Sequence, residues 1–155
     1  LYWIDKSDLG KFDEQLIANY SSIDSNSLGG NQRVRSNFES SVLNDFLSRI
    51  DDKKQNKVKN FVLDYLNVMT ELVRVLKVGK YIVLTLGDRR VDNRVVPLST
   101  ITTEYLESNG FILEKAITRN IPKKRMPRKV SKVGGNSVES MNQEHVLILK
   151  KVENR

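Results

Sequence analysis

Apolar residues recur at helical spacing most clearly between Lys53 and Lys77. Val58, Phe61, Val62, Tyr65, Leu66, Met69, Leu72, Val73 and Leu76 fall on one side of a helical wheel, and Lys57, Asn60, Asp64, Asn67, Glu71 and Arg74 on the other. The spacing predicts a long helix whose wide apolar face packs on a sheet, stopped by Gly79 in a left-handed turn. The period changes at Tyr81-Ile-Val-Leu-Thr-Leu86. This unbroken β-prone run predicts a strand buried on both faces in a parallel sheet. Gly87-Asp88-Arg89-Arg90 breaks the run, and the polar residues up to Pro97 read as a loop. Helical spacing returns from Pro97 or Leu98 to Asn109, with Ile101, Tyr105 and Leu106 facing inward and Gly110 as the stop. Strands follow at 111–119 and at Glu144–Val152.

Residues 1–54 are less legible. Lys11–Asn19 can form a short helix, and Tyr20–Gly30 is a Ser-, Asn- and Gly-rich loop. Ser36-Asn37-Phe38-Glu39 matches a capping box and predicts a helix over Asn37–Arg49, with Leu43, Phe46, Leu47 and Ile50 as its apolar stripe. The order helix, strand, helix, strand implies right-handed crossovers in a parallel sheet. The last strand has no helix before it and is expected to pair antiparallel with 111–119. Residues 120–143 are then a connection without structure of its own, of a length usually associated with function.

Charge sharpens this picture. The chain carries +7 overall, and the segments 1–54, 55–112 and 113–155 carry net −2, +2 and +7. An excess gathered at one end points to a polyanion. Arg119, Lys123, Lys124, Arg125, Arg128, Lys129 and Lys132 lie together with no acid among them, in a stretch that Pro122 and Pro127 stiffen and Gly134-Gly135 leaves mobile at its end. They are the candidate phosphate contacts. Asp88, Arg89 and Arg90 follow a strand at its carboxyl end, where open α/β sheets bind ligands. Asn142, Glu144 and His145 sit at the entry to the last strand. Trp3 and Tyr20 are aromatic enough to stack on a base.

Other chemistries are excluded or weakened. No cysteine is present, so disulfides, thiolate metal sites and a Cys nucleophile are absent, and the single His145 cannot build a multi-histidine site. Gly29-Gly30 is not part of a phosphate-binding loop. No apolar run reaches the roughly 20 residues of a membrane span, and no secretory leader pattern opens the chain. Leu1-Tyr2-Trp3-Ile4 reads as the interior of a longer protein.

Several stretches in order carry a family resemblance. They are Arg74-Val-Leu-Lys-Val-Gly-Lys-Tyr-Ile-Val83, Gly87-Asp88-Arg89-Arg90, Val96-Pro97-Leu98, Gly110-Phe111, Arg119-Asn-Ile-Pro-Lys-Lys-Arg-Met-Pro127 and Met141-Asn-Gln-Glu-His145. Together they resemble the C-terminal portion of the catalytic domain of the DNA amino-methyltransferases, which modify adenine N6 or cytosine N4 and carry a Ser-Pro-Pro-Tyr or Asn-Pro-Pro-Tyr motif. The resemblance covers residues 55–151 well and 1–54 weakly. It implies an α/β fold, the second half of a Rossmann-like methyltransferase sheet with its last strand antiparallel. The chain then divides into a helix-and-loop lead-in (1–54), α/β crossovers (55–119), a basic loop (120–143) and a final strand (144–152).

The resemblance also implies S-adenosyl-L-methionine (AdoMet) as cofactor, DNA as partner, and transfer of a methyl group to an exocyclic amine of a flipped-out base. It suggests a cytoplasmic, prokaryotic restriction-modification setting. It places the basic loop beside the target base and has Asn142, Glu144 and His145 shape the base pocket. The chain departs from the family in holding neither proline motif (its prolines are Pro97, Pro122 and Pro127) nor a glycine-rich AdoMet loop. No catalytic residue is therefore assigned here, and the chain alone is expected to be inactive. Pairing with the missing AdoMet-binding part, or self-association, is expected of such a half-sheet. An RNA methyltransferase of the same fold and a non-catalytic nucleic-acid-binding module with a degenerate methyltransferase half are the other readings.

Overall fold

The computed structural model describes residues 38–87, 89–121, 129–133, 136–139 and 143–154, with the strand backbone alone at 129–133 and 136–139. Among the described residues three helices and seven strands follow in this order: α1 (Ser41–Leu47), α2 (Asp52–Val75), β1 (Tyr81–Gly87), β2 (Arg90–Val91), β3 (Arg94–Val95), α3 (Leu98–Ser108), β4 (Phe111–Asn120), β5 (Lys129–Val133), β6 (Asn136–Glu139) and β7 (Gln143–Lys151). The architecture is mixed α/β, with the helices on one face of a three-stranded antiparallel sheet.

Local features start α1 and α2 and stop α2 and α3. The N-cap of α1 is Ser40, whose hydroxyl accepts from the Leu43 amide at 3.1 Å. The helix is therefore shorter than predicted, and the expected cap Ser36 lies outside the described residues. Asp51 caps α2, its carboxylate accepting from the Lys53 amide at 2.8 Å. Gly79 (φ 82°) and Gly110 (φ 83°) take left-handed conformations after α2 and α3. The predicted inner faces are the buried ones. Leu43, Phe46 and Ile50 around α1, Val58, Val62, Tyr65, Leu66, Met69 and Val73 of α2, and Ile101, Tyr105 and Leu106 of α3 join one core.

Hydroxyl pairs hold α2 against α3: Tyr65 with Thr102 at 2.9 Å and Thr70 with Tyr105 at 2.6 Å. Burial pushes the Tyr65 phenol above its ordinary pKa, and the Thr102 bond partly offsets that. The end of α2 is fastened to the sheet by Lys151. Its ammonium donates to the carbonyls of Val73 (2.7 Å) and Leu76 (2.9 Å), two of the groups a helix terminus leaves without intrahelical partners.

The sheet order is β1–β7–β4, with β7 antiparallel to both neighbours. The expected pairing of the last strand with β4 is present. The last strand is also inserted between β4 and β1, so β1 and β4 run the same way without touching. No adjacent pair of the three is parallel, and the expected parallel ladder is corrected accordingly.

The expected two-faced burial of β1 is corrected as well. Ile82, Leu84 and Leu86 turn toward the core, while Tyr81, Val83 and Thr85 are exposed, Val83 by 61%. A bulge between Leu113 and Lys115 shifts the alternation of β4. Ile112 and Ile117 thereby join Val83 on the same outward face. An unbroken apolar run does not distinguish two-sided burial from a strand whose second apolar face is uncovered.

Two predicted loops contain hairpins. β2 and β3 pair antiparallel around Asp92 and Asn93, both at positive φ (51° and 59°), the backbone a tight two-residue turn requires. β5 and β6 pair antiparallel inside the stretch expected to be unstructured, with Val133 opposite Asn136 across Gly134-Gly135.

Candidate nucleic-acid interface

Because β7 opposes β1 and β4, the carboxyl ends of β1 and β4 meet the start of β7 at one edge of the sheet. The register places Gly87 and Arg119 opposite Glu144, and Leu86 and Thr118 opposite His145. The sequence-derived candidates Arg119, Glu144 and His145 are thereby gathered at this edge. Arg89 and Arg90 follow the end of β1, Arg90 opening β2. Arg119 and Glu144 form an ion pair across the strands. Thr118 Oγ1 and His145 Nδ1 lie 3.2 Å apart, and Gln143 donates to Asn120 at 3.1 Å. Directly opposed residues make these pairs, so they fix strand register as well as the local polarity.

Lys129 and Lys132 lie on β5 of the second hairpin. Asp88, Lys123, Lys124, Arg125, Arg128 and Asn142 lie outside the described residues, as do Trp3 and Tyr20.

A second feature was not anticipated. The hairpin β2–β3 leans on the first half of α2 and encloses a pocket of about 380 Å³. Its apolar floor is Val58, Phe61, Val91 and Val96; its charged rim is Lys54, Lys57, Arg89, Arg90 and Asp92. Asp92, at the hairpin tip, anchors the assembly. Its carboxylate accepts from the Asp51 amide at 2.9 Å and pairs with Lys54. The hydrogen bond from Lys54, followed by that from the Asp51 amide, holds the Asp92 carboxyl below its ordinary pKa; the same bond raises Lys54 above its own.

The Arg89 guanidinium lies 4.9 Å from the centre of the Phe61 ring, a cation–π contact. Lys57, Arg89 and Arg90 make no ion pair among the described residues. With Lys54 and Asp92 cancelling, the described lining residues present a threefold positive charge above an apolar floor. That combination suits an anion attached to something flat. Sequence reasoning found Arg89 and Arg90 but missed Lys57 and Phe61, which it read as ordinary faces of α2. The missed signal was Val91-Asp92-Asn93-Arg94, a two-residue turn between β-branched and charged positions.

Among the described residues no cluster of His, Cys, Asp or Glu is arranged to hold a metal ion, and no helix is long and apolar enough to cross a membrane.

The chain is 32% identical over 118 residues to the type II methyltransferase M.MvaI of Kocuria varians, an alignment covering 74% of this chain and 26% of the relative. It is related in sequence to a methyltransferase and spans about a quarter of that protein's length. No protein-family profile and no solved structure matches it.

Proposed function

We propose that this chain is the C-terminal part of the catalytic domain of an AdoMet-dependent DNA methyltransferase acting on an exocyclic amine of adenine or cytosine. The likeness to a type II methyltransferase over 118 residues carries the reading. The reversed strand inserted between β1 and β4 supports it, since it agrees with the half-sheet the family resemblance implies. The rest of the enzyme, on this reading, lies against the exposed sheet face of Tyr81, Val83, Ile112 and Ile117 and along the free edge of β1.

The role of this chain is to grip the nucleic acid while the reacting groups come from elsewhere in the enzyme. The cations between Arg119 and Lys132 neutralise backbone phosphates. The strand edge with Glu144 and His145 forms a wall of the base pocket, and Arg119 is set in place by its pair with Glu144. AdoMet supplies a methyl group on a cationic sulfonium. The described pocket does not fit it, because its rim is positively charged.

The test is transfer of labelled methyl groups from AdoMet by the complete gene product, offered duplex DNA, tRNA and ribosomal RNA. Methylated adenine or cytosine in DNA is the expected result. Methylation of RNA alone, or of nothing, overturns the reading. The upstream reading frame is expected to encode a Ser-Pro-Pro-Tyr or Asn-Pro-Pro-Tyr motif.

A further inference from the structure

We propose that the pocket between α2 and the β2–β3 hairpin binds one nucleotide unit, its phosphate held by Lys57 and Arg90 and its planar part against Phe61 and the guanidinium of Arg89. The proposal rests on the nucleic-acid reading above and adds a site built from other residues than the basic stretch at 119–132.

Three observations carry it. The first is unbalanced charge. Lys57, Arg89 and Arg90 crowd one rim with no counter-ion among the described residues, while the neighbouring Lys54 is neutralised by Asp92. Clustered like charges repel across a partly apolar site, and a phosphate relieves that repulsion. The second is shape. At about 380 Å³ the cavity exceeds what a bare phosphate fills and sits at the small end of the roughly 300–1,000 Å³ range of ligand pockets.

The third is the platform. A guanidinium lying over a phenyl ring offers a flat surface, and stacking on such surfaces is tolerant of base identity. The pocket is also held open independently of any ligand, because the carboxylate of Asp92 ties the hairpin tip to the start of α2. The nucleotide can come from the DNA backbone or from free nucleotides, and the recognition chemistry is the same.

The experiment measures binding of labelled duplex DNA to the 155-residue chain across a NaCl series. It compares the chain with Lys57→Gln/Arg90→Gln, with Lys123→Gln/Lys124→Gln/Arg125→Gln/Arg128→Gln, and with Lys77→Gln/Lys80→Gln. The last variant removes two charges in the turn just past the far end of α2. Loss of two phosphate contacts is expected to make the slope of log K against log[salt] less negative by about 1.8 in the pocket variant. The far-end variant should leave the slope unchanged. If Arg90→Gln impairs folding, Lys57→Gln alone should give about half the change.

Methyl resonances of Val58 and Val96, followed by NMR, separate the sources of the ligand. Shifts with DNA only assign the site to the backbone; shifts with deoxycytidine monophosphate as well assign it to nucleotides generally. Shifts with neither overturn the proposal, as does an equal slope change in the pocket and far-end variants. Should the basic-stretch variant lose DNA binding while the pocket variant keeps the full slope, this inference fails and the DNA reading stands. A chain that binds no DNA but shows the mononucleotide shifts fails the reading and keeps the pocket.

Discussion

Replacing Lys151 by Met tests the bond between the end of α2 and the sheet. Lys151 is 3% exposed, and its ammonium donates to the carbonyls of Val73 and Leu76. Hydrogen bonds from a charged donor contribute about 1.5–3 kcal/mol each, and a desolvated orphan acceptor costs about 1–3 kcal/mol. Those terms alone would give a loss above about 3 kcal/mol. Two effects reduce it. The buried ammonium carries a desolvation penalty that Met removes, and the Leu76 carbonyl lies beside the exposed turn at 77–80, where water can reach it. The Val73 carbonyl belongs to a buried residue and is the group left stranded.

The net expectation is a loss of about 2 kcal/mol, or roughly 4–8 °C in Tm at this chain length. Urea unfolding followed by far-ultraviolet circular dichroism measures it. The midpoint should fall with the slope unchanged, because no large surface is newly exposed. Lys151→Ala should cost more than Lys151→Met, since the aliphatic stem also leaves the core, at about 0.8 kcal/mol per buried methylene. A Met variant as stable as the parent would refute the reasoning, because the ammonium would then be contributing nothing beyond its own desolvation.

Further expectations follow from single contacts. Gly110→Ala should lose more than about 2 kcal/mol, because the left-handed backbone costs roughly 1–2 kcal/mol and the added methyl meets the Glu153 carbonyl; Gly79→Ala, at the same φ in open space, should pay the backbone part alone. Thermal melts of the two variants read the difference. A double-mutant cycle of Tyr65→Phe with Thr102→Val should give a coupling of about 1 kcal/mol, and additive losses would show the 2.9 Å pair to be energetically silent. The Asp92 tether should be insensitive to pH through the neutral range. Its carboxyl is depressed when folded, so its contribution is present above the ordinary carboxylate pKa and lost as pH falls through the lower folded value. Lys54 is raised, so its part is lost only as pH rises past its folded value. The Asp51 amide resonance reports this directly, and Asp92→Ala should shift it at neutral pH to the position that acid produces in the parent.

The helices were legible because their information is local. The apolar stripe of α2 and the glycines at 79 and 110 specify a period and two stops within a few residues of one another. The core positions Leu66, Ile101 and Leu106 follow from the same spacing. The hairpins were not read because their signals are short. Asp92-Asn93 and Gly134-Gly135 compete with a polar, charged context that looks like loop. The Ser36 capping box pointed to an earlier helix start, whereas Ser40 provides the cap among the described residues. Ser40 also gains a distant partner, since its hydroxyl donates to Glu104 on α3.

For the candidate site, residue types were legible and their grouping was not. Sequence alone identified Arg89, Arg90, Arg119, Glu144 and His145 as chemically suggestive, because their charge and position after strands can be read directly. It could not show that Glu144 faces both Gly87 and Arg119, since cross-strand register depends on where β7 is inserted. Nor could it show that Lys57 and Phe61, some thirty residues before Arg90, form the other wall of a pocket.

The sequence by itself determined the helices after Ser40, the strands at 81–87, 111–120 and 143–151, the inward faces of the helices and the accumulation of positive charge toward the end of the chain. Each follows from periodicity or composition within a short window. Only the tertiary structure decided the strand order β1–β7–β4, the uncovered face of β1, the burial of Lys151 against the end of α2 and the pocket whose hairpin wall is tethered by Asp92. These depend on contacts between residues far apart in the chain, where packing rather than local preference selects the partner.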